Sequence, residues 1–219
     1  MDELRIHIER KKSRIIMAYD KTNFEDLISL IKILHEDLIG IKIHSEILNL
    51  NQEQNKNLYN LCKRYDLFLW EDRKFNDIAN TFKNQLKQYE NIRDYVSICP
   101  ISGLDILQVK SKLKYFVLIE MSSRNNLLNS ISNELYEFVL KELENNNKNI
   151  AGIICQSESY LKKNIISLKP GINVKNKKDD LGQVYTTINE LQNKPSLIVV
   201  GRGLINAKDP KKEIKLYKY

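Results

Sequence analysis

A (β/α)8 barrel of the TIM class, an α/β fold expected as one compact domain over residues 1–219, is what this sequence predicts. Three observations carry the expectation. Eight short apolar runs recur along the chain, too continuous to leave either face in water. Stretches with apolar residues three and four apart lie between them. The side chains able to do chemistry fall just after the runs. Strands buried on both faces and alternating with helices form a parallel sheet, and eight of them close most simply on themselves. An open doubly wound sheet seldom needs eight strands so evenly spaced.

The runs cover residues 15–19, 39–43, 67–70, 95–99, 115–119, 150–154, 165–168 and 197–200. A longer stretch expected to be helical follows each. After the first run, Phe24, Leu27, Ile28, Ile31 and Leu34 mark one face, and Thr22 or Asn23 can cap its start. Residues 52–64, 78–90, 132–144 and 184–193 read the same way. Leu58, Leu61 and Cys62 share one side of the stretch over 52–64.

Composition narrows the class. A chain of 219 residues is long enough for one well-buried core. No apolar run approaches the roughly 18 residues of a membrane span, and the start, Met1 to Arg5, has no signal-peptide core. The three cysteines, Cys62, Cys99 and Cys155, show no metal-ligand spacing, and two sit inside apolar runs as small hydrophobes. A cytoplasmic protein without a disulfide framework is expected. The net charge of +7 suits either a nucleic-acid or membrane binder or an enzyme drawing in anionic small molecules. The lysines occur as scattered pairs without interleaved aromatics, which argues against nucleic acid.

The segment Glu71-Asp72-Arg73-Lys74-Phe75-Asn76-Asp77 ends the third run in an acid–base–acid cluster. Side chains two apart on a strand share a face, so Asp72 and Lys74 are expected to point together, with Asp77 in the next turn. A solvated turn is the ordinary reading of such a cluster; position displaces it. Barrel enzymes build their sites at the C-terminal ends of the strands. Those positions hold Asp20, Lys42 and His44, Asp72, Lys74 and Asp77, Ser122, Pro170 and Gly171, and Gly201-Arg202-Gly203. The opposite loops are mostly Asn and Lys. The turns after strands seven and eight often bind phosphate, and here Gly201, Arg202 and Gly203 offer backbone N–H groups and a guanidinium. The long polar loop from Gly171 to Gly182 reads either as a disordered insertion or as a lid over the site; a lid ending in Gln183 and Tyr185 would suit a phosphorylated polar ligand.

Together these blocks resemble the orotidine 5′-phosphate decarboxylase family of the eukaryotic type. The resemblance rests on Glu71-Asp72-Arg73-Lys74-Phe75-x-Asp77-Ile78-x-Asn80-Thr81, on Ile41-Lys42-Ile43-His44, and on Glu120-Met121-Ser122-Ser123. Pro170-Gly171, Leu181-Gly182-Gln183-x-Tyr185 and Ile198-Val199-Val200-Gly201-Arg202-Gly203 complete it. The implied reaction is loss of CO2 from orotidine 5′-phosphate to give UMP, without cofactor or metal. The resemblance makes Lys42, Asp72, Lys74 and Asp77 the charged array, in a homodimer where Asp77 enters the partner's site. Lys74 would protonate C6, with Asp72 against the departing carboxylate. Asp20 and His44 would face the ribose, Ile78 and Thr81 would line the partner's site, and Ser122 would read the pyrimidine beside Pro170. Gln183, Tyr185, Gly201 and Arg202 would hold the phosphate. The chain departs from the family pattern at Tyr19, Asn76, Ala79 and the turn from Cys99 to Gly103.

That chemistry is coherent physically. Negative charge developing at C6 is stabilised by a fixed cation where water is excluded, and distant phosphate contacts can drive closure. Related sugar-phosphate enzymes resemble the D-x-K-x-x-D cluster too, but they use a metal and place an acid where Lys42 stands. A binding protein that had lost turnover would have no need of all four charged groups.

Overall fold

The computed structural model describes residues 2–123, 126–161, 164–174 and 186–218. Its eight strands are β1 (Ile15–Tyr19), β2 (Gly40–Ile43), β3 (Phe68–Phe75), β4 (Tyr95–Ile98), β5 (Lys114–Leu118), β6 (Ile150–Ile154), β7 (Ser167–Pro170) and β8 (Leu197–Val200). Each pairs in parallel with the next, and β8 pairs with β1 through Ile15 and Ile198, so the sheet is a closed barrel in chain order. The expected (β/α)8 class is the observed fold.

Burial on both faces explains the near-unbroken apolar runs: every residue of β1, β2, β6 and β8 is buried. An aromatic cluster fills one side of the barrel. The rings of Tyr95 and Phe116 stack at 4.6 Å, and Trp70 meets Phe116 edge-on at 5.1 Å.

The helices are α1 (Asp2–Lys11), α2 (Phe24–Leu34), α3 (Ser45–Leu48), α4 (Gln52–Arg64), α5 (Ala79–Leu86), α6 (Ser132–Glu144), α7 (Arg202–Ile205) and α8 (Pro210–Glu213). Asn23 caps α2 by accepting the Asp26 N–H, and α4 opens with a reciprocal Asn51–Gln54 capping box. Three expectations need correction. The helix expected over 78–90 stops at Leu86, where Tyr89 turns inward to pack on Phe75 at 5.8 Å. In place of a helix over 184–193, the described part has one 3-10 turn, Ile188–Glu190. There the Glu158 carboxylate captures the N–H groups of Gln192 and Asn193 and draws the chain off a helical path. The β4–β5 connection holds two 3-10 turns instead of a helix, because Pro100 lacks an N–H and Gly103 takes φ +148. Among the described residues no helix is long and apolar enough to cross a membrane. All three cysteines are free, Cys62 and Cys155 being buried.

Candidate active site

The inward-facing ends of neighbouring strands meet at the C-terminal mouth of the barrel. Lys42 on β2 stands opposite Trp70 on β3, so Trp70 and Asp72, two apart, project to the same interior side. Asp20 follows β1 directly and His44 follows β2. These residues, with Lys74, Glu120, Ser122, Pro170, Gly201 and Arg202, line a cavity of about 480 Å³. A groove of similar volume at the opposite end, walled by Lys12, Ser13, Arg14 and Tyr217, gathers no comparable charge array.

Asp72 is the centre of the array. Its Oδ2 lies 3.1 Å from Lys42 Nζ and 2.9 Å from Lys74 Nζ. Lys42 also donates to Asp20 Oδ1 at 3.2 Å and to His44 Nε2 at 2.9 Å. Burial works against ionisation of Asp72, but the flanking lysines outweigh it and hold the pKa down at about 2. Burial likewise opposes the charge on Lys42, and the carboxylates of Asp72 and Asp20 overcome it to raise the pKa. For His44 burial and the adjacent Lys42 both lower the pKa. Its Nε2 therefore accepts from Lys42, leaving the ring proton on Nδ1.

The sequence expectation that Asp72 and Lys74 meet is met, though not by simple strand alternation. β3 is bulged: Glu71 pairs with Val96 and Phe75 with Ile98, so residues 72–74 stand opposite Ser97 alone. Lys74 sits in the left-handed region at φ +55, a conformation that costs a non-glycine residue about 1–3 kcal/mol. Ser97 supports the bulge. Its hydroxyl donates to Asp72 Oδ1 at 2.7 Å and accepts the Lys74 N–H at 3.0 Å. Sequence reading passed over Ser97, although a lone hydroxyl in the run Tyr95-Val96-Ser97-Ile98-Cys99 was the available signal.

A second buried network supports the array from behind. Glu71 and Arg93 both have fully buried side chains and pair at 3.2 Å. Glu71 accepts the Ser45 N–H at 2.9 Å and the Ser45 hydroxyl, and Arg93 reaches Asn55 Oδ1 at 2.7 Å. The turn carrying His44 is thereby anchored to β3. At the far side of the cavity, Glu120 accepts the N–H groups of Gln156 and Ser157 at 2.7 and 2.6 Å, tying the end of β5 to that of β6.

Asp77, Ile78 and Thr81 are not brought to the cavity of their own chain. Asp77 accepts its neighbour Ile78's N–H at 2.8 Å and the Gln85 amide at 3.3 Å, and Ile78 is 62 % exposed. Gln183 and Tyr185, expected at the phosphate, lie outside the described residues, as does most of the expected lid. Gly203 has a purpose beyond the expected one: a Cβ there would come 2.3 Å from the Tyr217 hydroxyl, so the turn admits only glycine while Tyr217 keeps its place. Lys21, also missed by sequence reading, lines the cavity beside Arg202 and donates to the Ile205 carbonyl at 3.1 Å. Among the described residues, no three or more His, Cys, Asp or Glu side chains are gathered to hold a metal ion.

The model of the orotidine 5′-phosphate decarboxylase / HUMPS family matches residues 13–217, nearly the whole barrel. The chain belongs to that family. Among individual relatives, it is 28 % identical to the uridine 5′-monophosphate synthase of Caenorhabditis elegans, over 96 % of this chain and 45 % of that one. The chain thus spans about half the length of that relative, and 46 % of the Bos taurus synthase. The orotidine 5′-phosphate decarboxylase of Pichia kudriavzevii is 28 % identical over 96 % of this chain and 87 % of its own length. Of solved structures, the Methanocaldococcus jannaschii orotidine 5′-monophosphate decarboxylase, complexed with the inhibitor BMP, superposes with a TM-score of 0.75 over 94 % of this chain and 97 % of that one, at 18 % identity. At that identity the likeness speaks for the barrel fold of the family.

Proposed function

We propose that this chain converts orotidine 5′-phosphate to UMP and CO2, the last step of UMP synthesis, within one barrel domain over residues 1–219. The observation that carries the reading is the arrangement around Asp72, one carboxylate oxygen held between Lys42 and Lys74 at 3.1 and 2.9 Å. In this reading the substrate's carboxylate is pressed against Asp72 with Lys74 beside C6. The C6–carboxylate bond breaks, its electron pair stays on C6, and Lys74 Nζ delivers the proton that replaces CO2. Like charge against Asp72 penalises the bound carboxylate more than the departing neutral CO2, which favours the transition state. Lys42 fixes Asp72 and Asp20, and Asp20 and His44 face the ribose. Ser122 reads the pyrimidine edge, with Pro170 against the ring. Gly201, Arg202, Gln183 and Tyr185 take the phosphate.

The family's name spans two chemistries, and Lys42 supports the metal-free one here. A lysine nitrogen already bridges Asp20 and Asp72, where a metal-dependent sister enzyme would gather acidic ligands around a cation. The reading needs no cofactor and no metal. It also makes the protein a cytoplasmic homodimer, without a membrane or nucleic-acid partner. Asp77 bonds to Ile78 and Gln85, does not line its own chain's cavity, and is flanked by exposed Ile78, which supports donation of Asp77, Ile78 and Thr81 to the partner's site.

Loss of orotidine 5′-phosphate absorbance, followed with a metal chelator present, tests the reaction. Turnover under chelation, abolished in Lys74→Ala and Asp72→Asn while UMP still binds, is the expected result. Normal turnover by either variant overturns the assigned roles. Mixing the Lys74→Ala and Asp77→Asn proteins tests the shared site: random reassortment of dimers restores about a quarter of the wild-type sites. No recovery after verified exchange places Asp77 in its own chain's chemistry or outside it.

A further inference from the structure

Ser97 stands at the one place where two reacting groups and a strained backbone converge. The β3 bulge sets three residues, Asp72, Arg73 and Lys74, against Ser97 as their single counterpart on β4. Three residues against one cannot all keep ladder hydrogen bonds, so part of the bulge must find partners elsewhere. The completely buried Ser97 hydroxyl supplies two of those contacts: it accepts the Lys74 N–H at 3.0 Å and donates to Asp72 Oδ1 at 2.7 Å.

We propose that Ser97 is a positioning residue for decarboxylation, its hydroxyl locking the Asp72 carboxylate and the Lys74 backbone into one rigid unit. The inference rests on the roles given above to Asp72 and Lys74. Its geometry is specific. A carboxylate joined only through Oδ2 to two lysines on flexible stems can rotate about its Cβ–Cγ bond. The contact at Oδ1 stops that rotation and keeps Oδ2 aimed between Lys42 and Lys74. The contact to the Lys74 N–H holds the left-handed turn that points this lysine back at Asp72 rather than out of the barrel. Placement within a fraction of an ångström governs the rate when a proton is delivered to one atom. Ser97 touches no substrate in this arrangement; it acts through the two residues that do.

The charged groups facing Asp72 are Lys42 and His44 after β2, Lys74 on β3 itself and, through Lys42, Asp20 after β1. None of them can replace the Ser97 contact at Oδ1 without leaving its own partners.

The test compares wild type, Ser97→Ala, Ser97→Thr and Lys74→Ala as purified full chains. The readouts are kcat, KM, UMP affinity, thermal midpoint and the pH dependence of kcat/KM. In Ser97→Ala, kcat is expected to fall about 10- to 100-fold, the loss of one hydrogen bond to a charged group. KM and UMP affinity should stay within about threefold, since no substrate contact is removed. A carboxylate that loses a donor protonates more easily, so the acid limb of kcat/KM should move to higher pH. Ser97→Thr, which keeps the hydroxyl, should recover most of the rate and restore the acid limb. Full activity in folded Ser97→Ala overturns the proposal. So does a loss spread equally over kcat, UMP affinity and thermal midpoint that Ser97→Thr does not repair, since that pattern marks a merely structural residue. Normal turnover in Lys74→Ala overturns the site reading itself and this inference with it. An inactive Lys74→Ala beside a fully active Ser97→Ala removes Ser97's role alone.

Discussion

Replacing Arg93 with methionine isolates the buried pair that holds the array from behind. Neither the Arg93 nor the Glu71 side chain has any exposed surface, and their contact is 3.2 Å. Methionine fills similar volume but leaves Glu71 with only Ser45 as a partner. Breaking a buried ion pair from one side costs about 3–5 kcal/mol, because the remaining charge keeps its desolvation penalty. Unfolding entropy near 2.1 cal/mol/K per residue gives roughly 0.46 kcal/mol/K for 219 residues, so the midpoint should fall by roughly 7–11 °C. The pH dependence is the sharper signature. Burial raises the Glu71 pKa, and Arg93 is the strongest influence opposing it, so removing Arg93 raises that pKa further. A carboxyl whose folded pKa lies above its unfolded value of about 4.3 carries no penalty below that value. The penalty grows as pH rises through the folded pKa. The deficit of Arg93→Met should therefore be smaller at pH 5 than at pH 8, and Glu71→Gln/Arg93→Met should lose less than the two single changes together. Thermal unfolding of the four proteins across that range measures all of this. A midpoint within about 2 °C of wild type at pH 8, or a deficit independent of pH, would refute the reasoning.

Trp70 is the only tryptophan in the chain, lines the cavity, and buries its Nε1 without a hydrogen-bond partner among the described residues. UMP should change its emission saturably, and an unchanged spectrum at saturating UMP would count against ligand entry at this end of the barrel. Gly203→Ala should destabilise by about 1–3 kcal/mol through collision with the Tyr217 hydroxyl, and Tyr217→Phe should relieve much of that loss in the double variant. Equal losses in the single and double variants would locate the strain elsewhere. Burial is the largest cause lowering the pKa values of His7 and His44, so the unfolded chain takes up their protons first as pH falls below about 6.5. Stability should drop on that limb, and His7→Gln/His44→Gln should flatten it; an unchanged slope would refute the linkage. Asp72 adds a separate loss only at much lower pH, as protonation approaches its folded pKa of about 2.

Local pattern made most of the fold readable. Each of the eight strands overlaps an apolar run, because burial on both faces leaves little room for polar alternation; β3 continues past its run to Phe75, and β7 starts two residues late and ends at Pro170. The helices with a clear three-and-four spacing, α2, α4 and α6, match their expected spans closely. The failures share a cause. After Leu86 the chain follows Tyr89 into a pocket, and after Glu190 it follows Glu158, a residue more than thirty positions away. Spacing along a sequence carries no trace of such partners. The charged site was legible for the opposite reason: a barrel concentrates its chemistry at strand ends, so topology alone sorted Asp20, Lys42, His44, Asp72 and Lys74 from the other polar residues.

Residues one layer behind the array obey a different logic, and it too can be read from sequence. Glu71 and Ser97 sit where strand burial is complete on both sides, so neither can be satisfied by water. A buried polar group without a partner costs about 1–3 kcal/mol, more if charged, and strands that must be apolar on both faces do not keep one idly. A lone hydroxyl or acid inside such a run therefore implies, from its position alone, a partner across the sheet. The candidates are limited to the polar residues of the two adjacent strands and the turns that leave them. For Ser97 on β4, the adjoining polar cluster is Asp72 to Lys74 at the end of β3; for Glu71, it is Arg93 just before β4 and Ser45 just after β2. Ser97 and Glu71 are such polar exceptions inside the strands, and each lies against the charged side chain or the turn that it fixes.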